Sequence, residues 1–195
     1  MRFGFSIIMT VALLCGAAQA QQPPPPVKEY SASSWKEFDS KDGKFSISFP
    51  GTPITRSRTL DTKIGKLTTH EFALETDLGL YYVSYTDFPV APETPEEIRS
   101  ALDSSRDQAV AGGATLISEN DVWLGEVMGR ELLAKKGPYI FHARYFTTKG
   151  RLFQTILTAK PIVVFHDGKP STNPSDFTQI YRSTSKKFFE SFKLT

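Results

Sequence analysis

The sequence predicts an α+β fold, an antiparallel sheet of about six to eight strands flanked by two main helices, on three observations. Pro138 to Ala159 holds two runs rich in aromatic and β-branched residues, divided by Thr148-Lys149-Gly150, which is the layout of a hairpin. Shorter runs with alternating apolar residues precede it, from Lys44 to Phe49, Leu67 to Glu75 and Leu80 to Phe88. Two segments, one after Thr94 and one after Asn173, repeat apolar residues at helical spacing. Both parities of the Pro138–Ala159 runs carry apolar side chains, so these strands belong in the middle of a sheet covered on two sides.

The first 20 residues combine Arg2, an apolar run from Phe3 to Leu14 and a small-residue ending at Ala18-Gln19-Ala20, which reads as a secretory signal peptide cleaved after Ala20. Lipidation at Cys15 is the competing reading, and bulky Leu14 before it argues against that. Retention as an anchor is another, and the apolar run falls short of the roughly 20 residues that span a bilayer. Cleavage also removes the only cysteine, leaving a chain without disulfide, thiol nucleophile or thiolate metal site, which suits a secreted or periplasmic location. Residues 21–34, with Pro23 to Pro26, read as a proline-rich linker, and residues 35–195 as a single α+β domain. The net charge of +2 is spread in scattered pairs such as Arg56/Arg58 and Lys186-Lys187, so nucleic acid is not an expected partner. No membrane span is expected after signal cleavage.

In chain order, Lys44 to Phe49 places Phe45, Ile47 and Phe49 on one face and Ser46 and Ser48 on the other, predicting a half-buried strand with one wet face. Pro50-Gly51-Thr52-Pro53 stops it. Ile54 to Leu60 is polar between its ends and reads as an edge strand guarded by arginines. Leu67 to Glu75 and Leu80 to Phe88 form a second hairpin about Thr76 to Gly79, with Tyr81, Val83 and Tyr85 sharing a face. Thr94-Pro95-Glu96-Glu97 is a capping box with proline at the first helical position, so a helix runs from there to about Ala111. It should bury Ile98, Ala101, Leu102, Ser105 and Ala109 and turn Arg99, Asp103, Arg106 and Asp107 to water, ending at Gly112-Gly113. Thr115 to Ser118 and Val127 to Ala134 are further strands. Lys160 to Thr172, broken by Pro161, Asp167-Gly168 and Pro170, is a surface excursion. Phe177, Ile180, Tyr181, Thr184, Phe188 and Phe192 then mark a helix laid on the sheet by its aromatic face.

Several of these residues together resemble a group of uncharacterised secreted bacterial proteins and, more distantly, the Mog1/PsbP-like superfamily. They are Trp35, Phe38, Asp42 to Pro53, Gly129-Arg130-Glu131, Arg151-Leu152-Phe153-Gln154 and Phe189 to Leu194, and the likeness runs from about Trp35 to Leu194. The resemblance implies an antiparallel sheet sandwiched by helices. It also implies adaptors or accessory subunits, such as photosystem-associated subunits, a Ran-binding protein and bacterial envelope lipoproteins, rather than enzymes. No binding residue transfers, because the segments that carry them in those proteins have no counterpart here.

A nucleophile elbow, a zinc-protease helix, a phosphate loop and a dinucleotide glycine motif are all absent from the sequence, so no cofactor is expected. His70, His142 and His166 are far apart and lack the spacing of a metal site. The constellation ranked first is His142, Arg144 and Gln154, which could bind an anion or carboxylate. A two-residue loop pairing Thr148 with Arg151 would put Gln154 opposite Tyr145, on the other face; a longer turn would not. The alternative reading makes Arg144 a buried cation paired with a carboxylate such as Glu131 or Glu71. Adjacent Arg130 and Glu131 point opposite ways. Tyr30, Trp35 and Trp123 lie off the assigned core faces and could mark a contact surface.

Three functions are compatible with this reading. The first is a non-catalytic envelope domain that binds another envelope protein. The second is a carrier of a small apolar ligand, with a pocket between the sheet and the C-terminal helix. The third is a hydrolase with a dispersed site, which requires a cleft holding at least two perturbed ionisable groups.

Overall fold

The computed structural model describes residues 35–62, 64–160 and 178–195, together with the backbone of 165–166, 169–170 and 174–177. The signal peptide and linker expected before Trp35, with Tyr30, lie outside the described residues. So do the side chains of His166 and Phe177.

In chain order the elements are β1 (Lys36–Ser40), β2 (Phe45–Phe49), β3 (Ile54–Thr62), β4 (Gly65–Glu75), β5 (Gly79–Asp87), α1 (Pro95–Ala111), β6 (Thr115–Leu124), β7 (Val127–Lys136), β8 (Tyr139–Thr148), β9 (Arg151–Ala159), β10 (Phe165–His166), β11 (Lys169–Pro170), α2 (Pro174–Glu190) and β12 (Lys193–Leu194). A seven-stranded antiparallel sheet runs in the order β3-β4-β5-β9-β8-β7-β6, so the β8–β9 hairpin is central, as its two-sided apolar pattern requires. Lys149 and Gly150 take φ of 50° and 78°, the paired left-handed geometry of a two-residue hairpin turn, and a glycine at the second position makes that inexpensive. Strand β3 is the edge on one side, as its arginine-rich run predicts.

The two faces carry separate cores. On one, Tyr81, Val83, Phe153 and Leu157 from the sheet meet Phe188, Phe189 and Phe192, all at most 3% exposed. On the other, Leu102 of α1 packs with Leu132, Ala143, Tyr145, Leu152 and Ile156. The α1 cap is complete: Thr94 Oγ1 accepts from the Glu97 N–H at 3.2 Å while the Glu97 carboxylate accepts from the Thr94 N–H at 3.1 Å.

Three expectations need correction. Strand β2 has no wet face; it is the middle of a second, three-stranded sheet, β1-β2-β12, which shares the α2 side, and Ser46 is buried. Ser48 donates its N–H to Ser191 Oγ at 2.9 Å, so the chain's own C-terminal segment takes the place of water there. Strand β6 continues to Leu124, beyond the expected end at Ser118; it stays paired with β7 down to the turn, and arginines neutralise the carboxylates of its second half. Those arginines include ones on α1. Asp103 and Arg106, expected to face water, are half-buried and hold α1 against β6 and β7, as described below, whereas Arg99 and Asp107 are exposed as expected.

Candidate functional site

Glu131 on β7 and Arg144 on β8 are direct cross-strand partners, and His142 lies two residues back along β8, so hairpin register alone brings all three onto the α2 face. Arg144 Nε donates to Glu131 Oε1 at 2.6 Å, and His142 Nε2 lies 3.0 Å from the same oxygen. On the imidazole's other side, Tyr181 Oη of α2 is 3.1 Å from Nδ1. A carboxylate only accepts, so Nε2 carries the ring proton and, in the neutral imidazole, Nδ1 accepts the tyrosine hydroxyl. Phe189 floors the group, its ring centroid 4.2 Å from the His142 ring and 5.2 Å from the Arg144 guanidinium.

The electrostatics follow from this geometry. The hydrogen bond from His142, with that from Arg144 and the guanidinium charge, holds the Glu131 carboxyl at about 2, against the penalty of its partial burial. Burial, then the Glu131 charge, pushes the Tyr181 phenol well above its ordinary range. Near neutral pH, therefore, Glu131 stays ionised, Tyr181 stays protonated, and both nitrogens of His142 are engaged. The arrangement ties α2 to the sheet.

Of the three residues singled out from sequence, His142 and Arg144 meet and Gln154 does not join them. Thr148 pairs with Arg151 across the two-residue turn, so Gln154 falls opposite Tyr145 and faces α1. There it belongs to a row that sequence reading missed. One registered line crosses all seven strands, Asp121, Arg130, Tyr145, Gln154, Ser84, Glu71 and Arg56, and every residue in it is polar or ionisable. Its centre is buried, with Tyr145 at 3%, Gln154 at 7% and Ser84 at 0% exposure. Burial pushes the Tyr145 phenol up, and so does neighbouring Tyr82, whose own hydroxyl donates to Glu71 Oε1 at 3.1 Å. No local motif signals such a row; only the relative register of six strand pairs reveals it.

At one end of the row Arg130, 8% exposed, donates through Nε to Asp121 at 3.0 Å and through Nη1 to Asp103 of α1 at 2.9 Å, and it also contacts Glu119. Arg106 bridges Glu119 at 3.2 Å and Asp107 at 2.8 Å, and Arg99 reaches Asp121 at 3.5 Å. At the turn end of β9, Arg151 grips Asp87 through Nε and Nη2 at 2.5 and 2.8 Å. The same guanidinium donates to the Asp42 and Gly43 carbonyls at 2.8 and 2.9 Å, fastening the smaller sheet to the larger. His70 stacks on Tyr85 at 4.6 Å and meets Ser57 Oγ at 2.9 Å. Each of these is a structural joint with its partners supplied by the chain.

An apolar ligand pocket was expected between the sheet and the C-terminal helix; beneath the described part of that helix aromatic rings fill the space, with Tyr81 and Phe188 5.2 Å apart edge to face and Phe49 and Phe188 5.6 Å. A cleft of about 450 Å³ opens instead on the exposed side of α2, lined by Thr178, Gln179, Arg182, Ser183 and Lys186. Among the described residues no helix is long and apolar enough to cross a membrane.

No protein-family model and no curated protein sequence matches the chain. Among solved structures it is similar to the solution structure of cyanobacterial PsbP (CyanoP) from Synechocystis sp. PCC 6803, with a TM-score of 0.52 and 12% identity, covering 89% of this chain and 98% of that one. At that identity the likeness is one of fold, and it agrees with the PsbP-like sandwich that the sequence suggested.

Proposed function

We propose that this chain is a secreted or periplasmic accessory domain without catalytic activity, which binds another protein of the cell envelope. The observation that carries the reading is the closure of the candidate site. Glu131, His142, Arg144 and Tyr181 are joined to one another by hydrogen bonds, which suits cohesion between α2 and the sheet. The PsbP-like fold supports the same reading, because the superfamily resemblance implies adaptors and accessory subunits. Export rests on the signal-peptide pattern before Gln21.

The test is capture of the tagged chain from Gln21 to Thr195 in its own cell envelope, with identification of everything that elutes in stoichiometric amount. A protein recovered in such amount, and still recovered with His142→Ala, supports a binding domain whose internal triad is structural. Recovery of the domain alone, or with only a small molecule, would overturn it.

A further inference from the structure

The two edges of the large sheet treat the danger of edge-to-edge pairing differently. Strand β3 is guarded. A second copy pairing antiparallel to it about Arg58 would set that cation opposite itself, and pairing about Ser57 would set Arg56 opposite Arg58. Arg56 has no ion pair among the described residues to soften this. Strand β6, the other edge, carries no cation at all. Its carboxylates are already neutralised from within, Glu119 by Arg106 and Arg130, Asp121 by Arg99 and Arg130. It leaves large apolar side chains in water, Ile117 at 56% and Trp123 at 64% exposure, with Leu116 at 38%.

The order of residues in β6 is self-complementary. Antiparallel pairing about Asn120, itself exposed, sets Ile117 opposite Trp123 of the second copy and Trp123 opposite its Ile117, with Ser118 facing Val122. The acidic juxtaposition, Glu119 with Asp121 of the second copy and its two-fold equivalent, joins groups whose charge each copy balances with its own guanidinium groups. Ile117 is the extra residue of a bulge against β7, so the regular ladder available to a second copy runs from Ser118 to Val122, with Ile117 and Trp123 at its margins. The geometry points to β6 as a homodimer interface, where two copies join edge to edge about Asn120 and extend the sheet through a two-fold axis.

In that register the two Asn120 Cα atoms lie about 4.5–5.5 Å apart, within the span a disulfide bridges. The experiment uses the full chain with Cys15→Ser, carrying Asn120→Cys or, on the guarded edge, Thr59→Cys, under mild oxidation. Asn120→Cys should give a covalent dimer, at least tenfold faster than Thr59→Cys and at least tenfold slower once Ile117→Lys and Trp123→Lys are added. Sedimentation of the unsubstituted chain should show a monomer–dimer equilibrium that the two lysines abolish. Absence of the Asn120→Cys dimer, equal cross-linking at the two edges, or indifference to the lysines would each overturn the interface. Ile117 and Trp123 are more than half exposed, so the lysines should not disturb folding. Should they do so, comparison of the two cysteine variants decides the matter alone.

Discussion

Beneath α2, the large sheet presents Tyr81, Phe153 and Leu157 at 2% exposure or less, meeting the rings of Phe45, Phe49, Phe188 and Phe192. Beneath α1, the same strands carry the row from Asp121 to Arg56 and the knot of Arg99, Arg106 and Arg130 with Asp103, Asp107, Glu119 and Asp121. The first face coheres by excluding water, which is strong but tolerant of direction. The second depends on geometry: a buried cation such as Arg130 is stable only while its carboxylates are in place, and those carboxylates sit on one neighbouring strand, β6, and on α1. The lesson is that α2 is glued and α1 is keyed, and that the glued side has keyed contacts of its own in His142 with Glu131 and Tyr181 and in Arg151 with Asp87.

That contrast can be broken in order of effect. Phe188→Ala should cost about 3–5 kcal/mol, the penalty of a cavity in a packed aromatic core, read as a lowered denaturant midpoint with no sensitivity to salt. Arg130→Ala should cost about 1.5–3 kcal/mol, the range for hydrogen bonds to charged groups, because it removes the buried guanidinium that Asp103, Glu119 and Asp121 share. Unlike the phenylalanine, Arg130→Met together with Glu119→Gln and Asp121→Asn should recover much of the loss. A triple variant no more stable than Arg130→Ala would show that the α1 face is not keyed by charge.

Glu131→Gln should cost about 1–3 kcal/mol, the range for a hydrogen bond to a charged group. The sign of its pH dependence follows from the lowered carboxyl: Glu131 is about 2 in the fold against an ordinary value of 4.5, so its stabilisation is complete above about 5 and disappears as the pH falls toward 2. Denaturation measured from pH 6 to pH 2 should therefore be shallower for Glu131→Gln than for the parent; parallel curves would deny the carboxylate its role. Smallest, Tyr181→Phe removes one hydroxyl from His142 and should cost about 1 kcal/mol, with amide exchange accelerated in the first turns of α2 and unchanged around Phe188. Uniform acceleration along the helix would mean that Tyr181 is no separate latch.

How much of this was legible depended on the distance over which each interaction acts. The capping box of Thr94 and Glu97, the Lys149-Gly150 turn, the parity of β5 and the centrality of β8 and β9 are contained within a few residues, or within one hairpin, and the sequence alone determined them. Even the exclusion of Gln154 from the His142 site could be derived from loop length once Thr148 is paired with Arg151, because a period of two fixes faces. Pairing Arg144 with Glu131 was legible as chemistry, since a buried arginine requires a carboxylate.

Only the tertiary structure decided the rest. The second sheet was hidden because β1 offers a single apolar residue, Phe38, among charges, and β12 has two residues, so neither shows a period. The seven-strand polar row and the Arg130 knot join residues separated by strands and a helix, and their meaning exists only once all registers are set together. Tyr181 lies 39 residues from His142, and nothing in either neighbourhood announces the other. Periodicity tells which side of an element is buried, a property of a short window; which partner waits there is settled when remote segments pack, because satisfying every buried polar group is a condition on the whole fold.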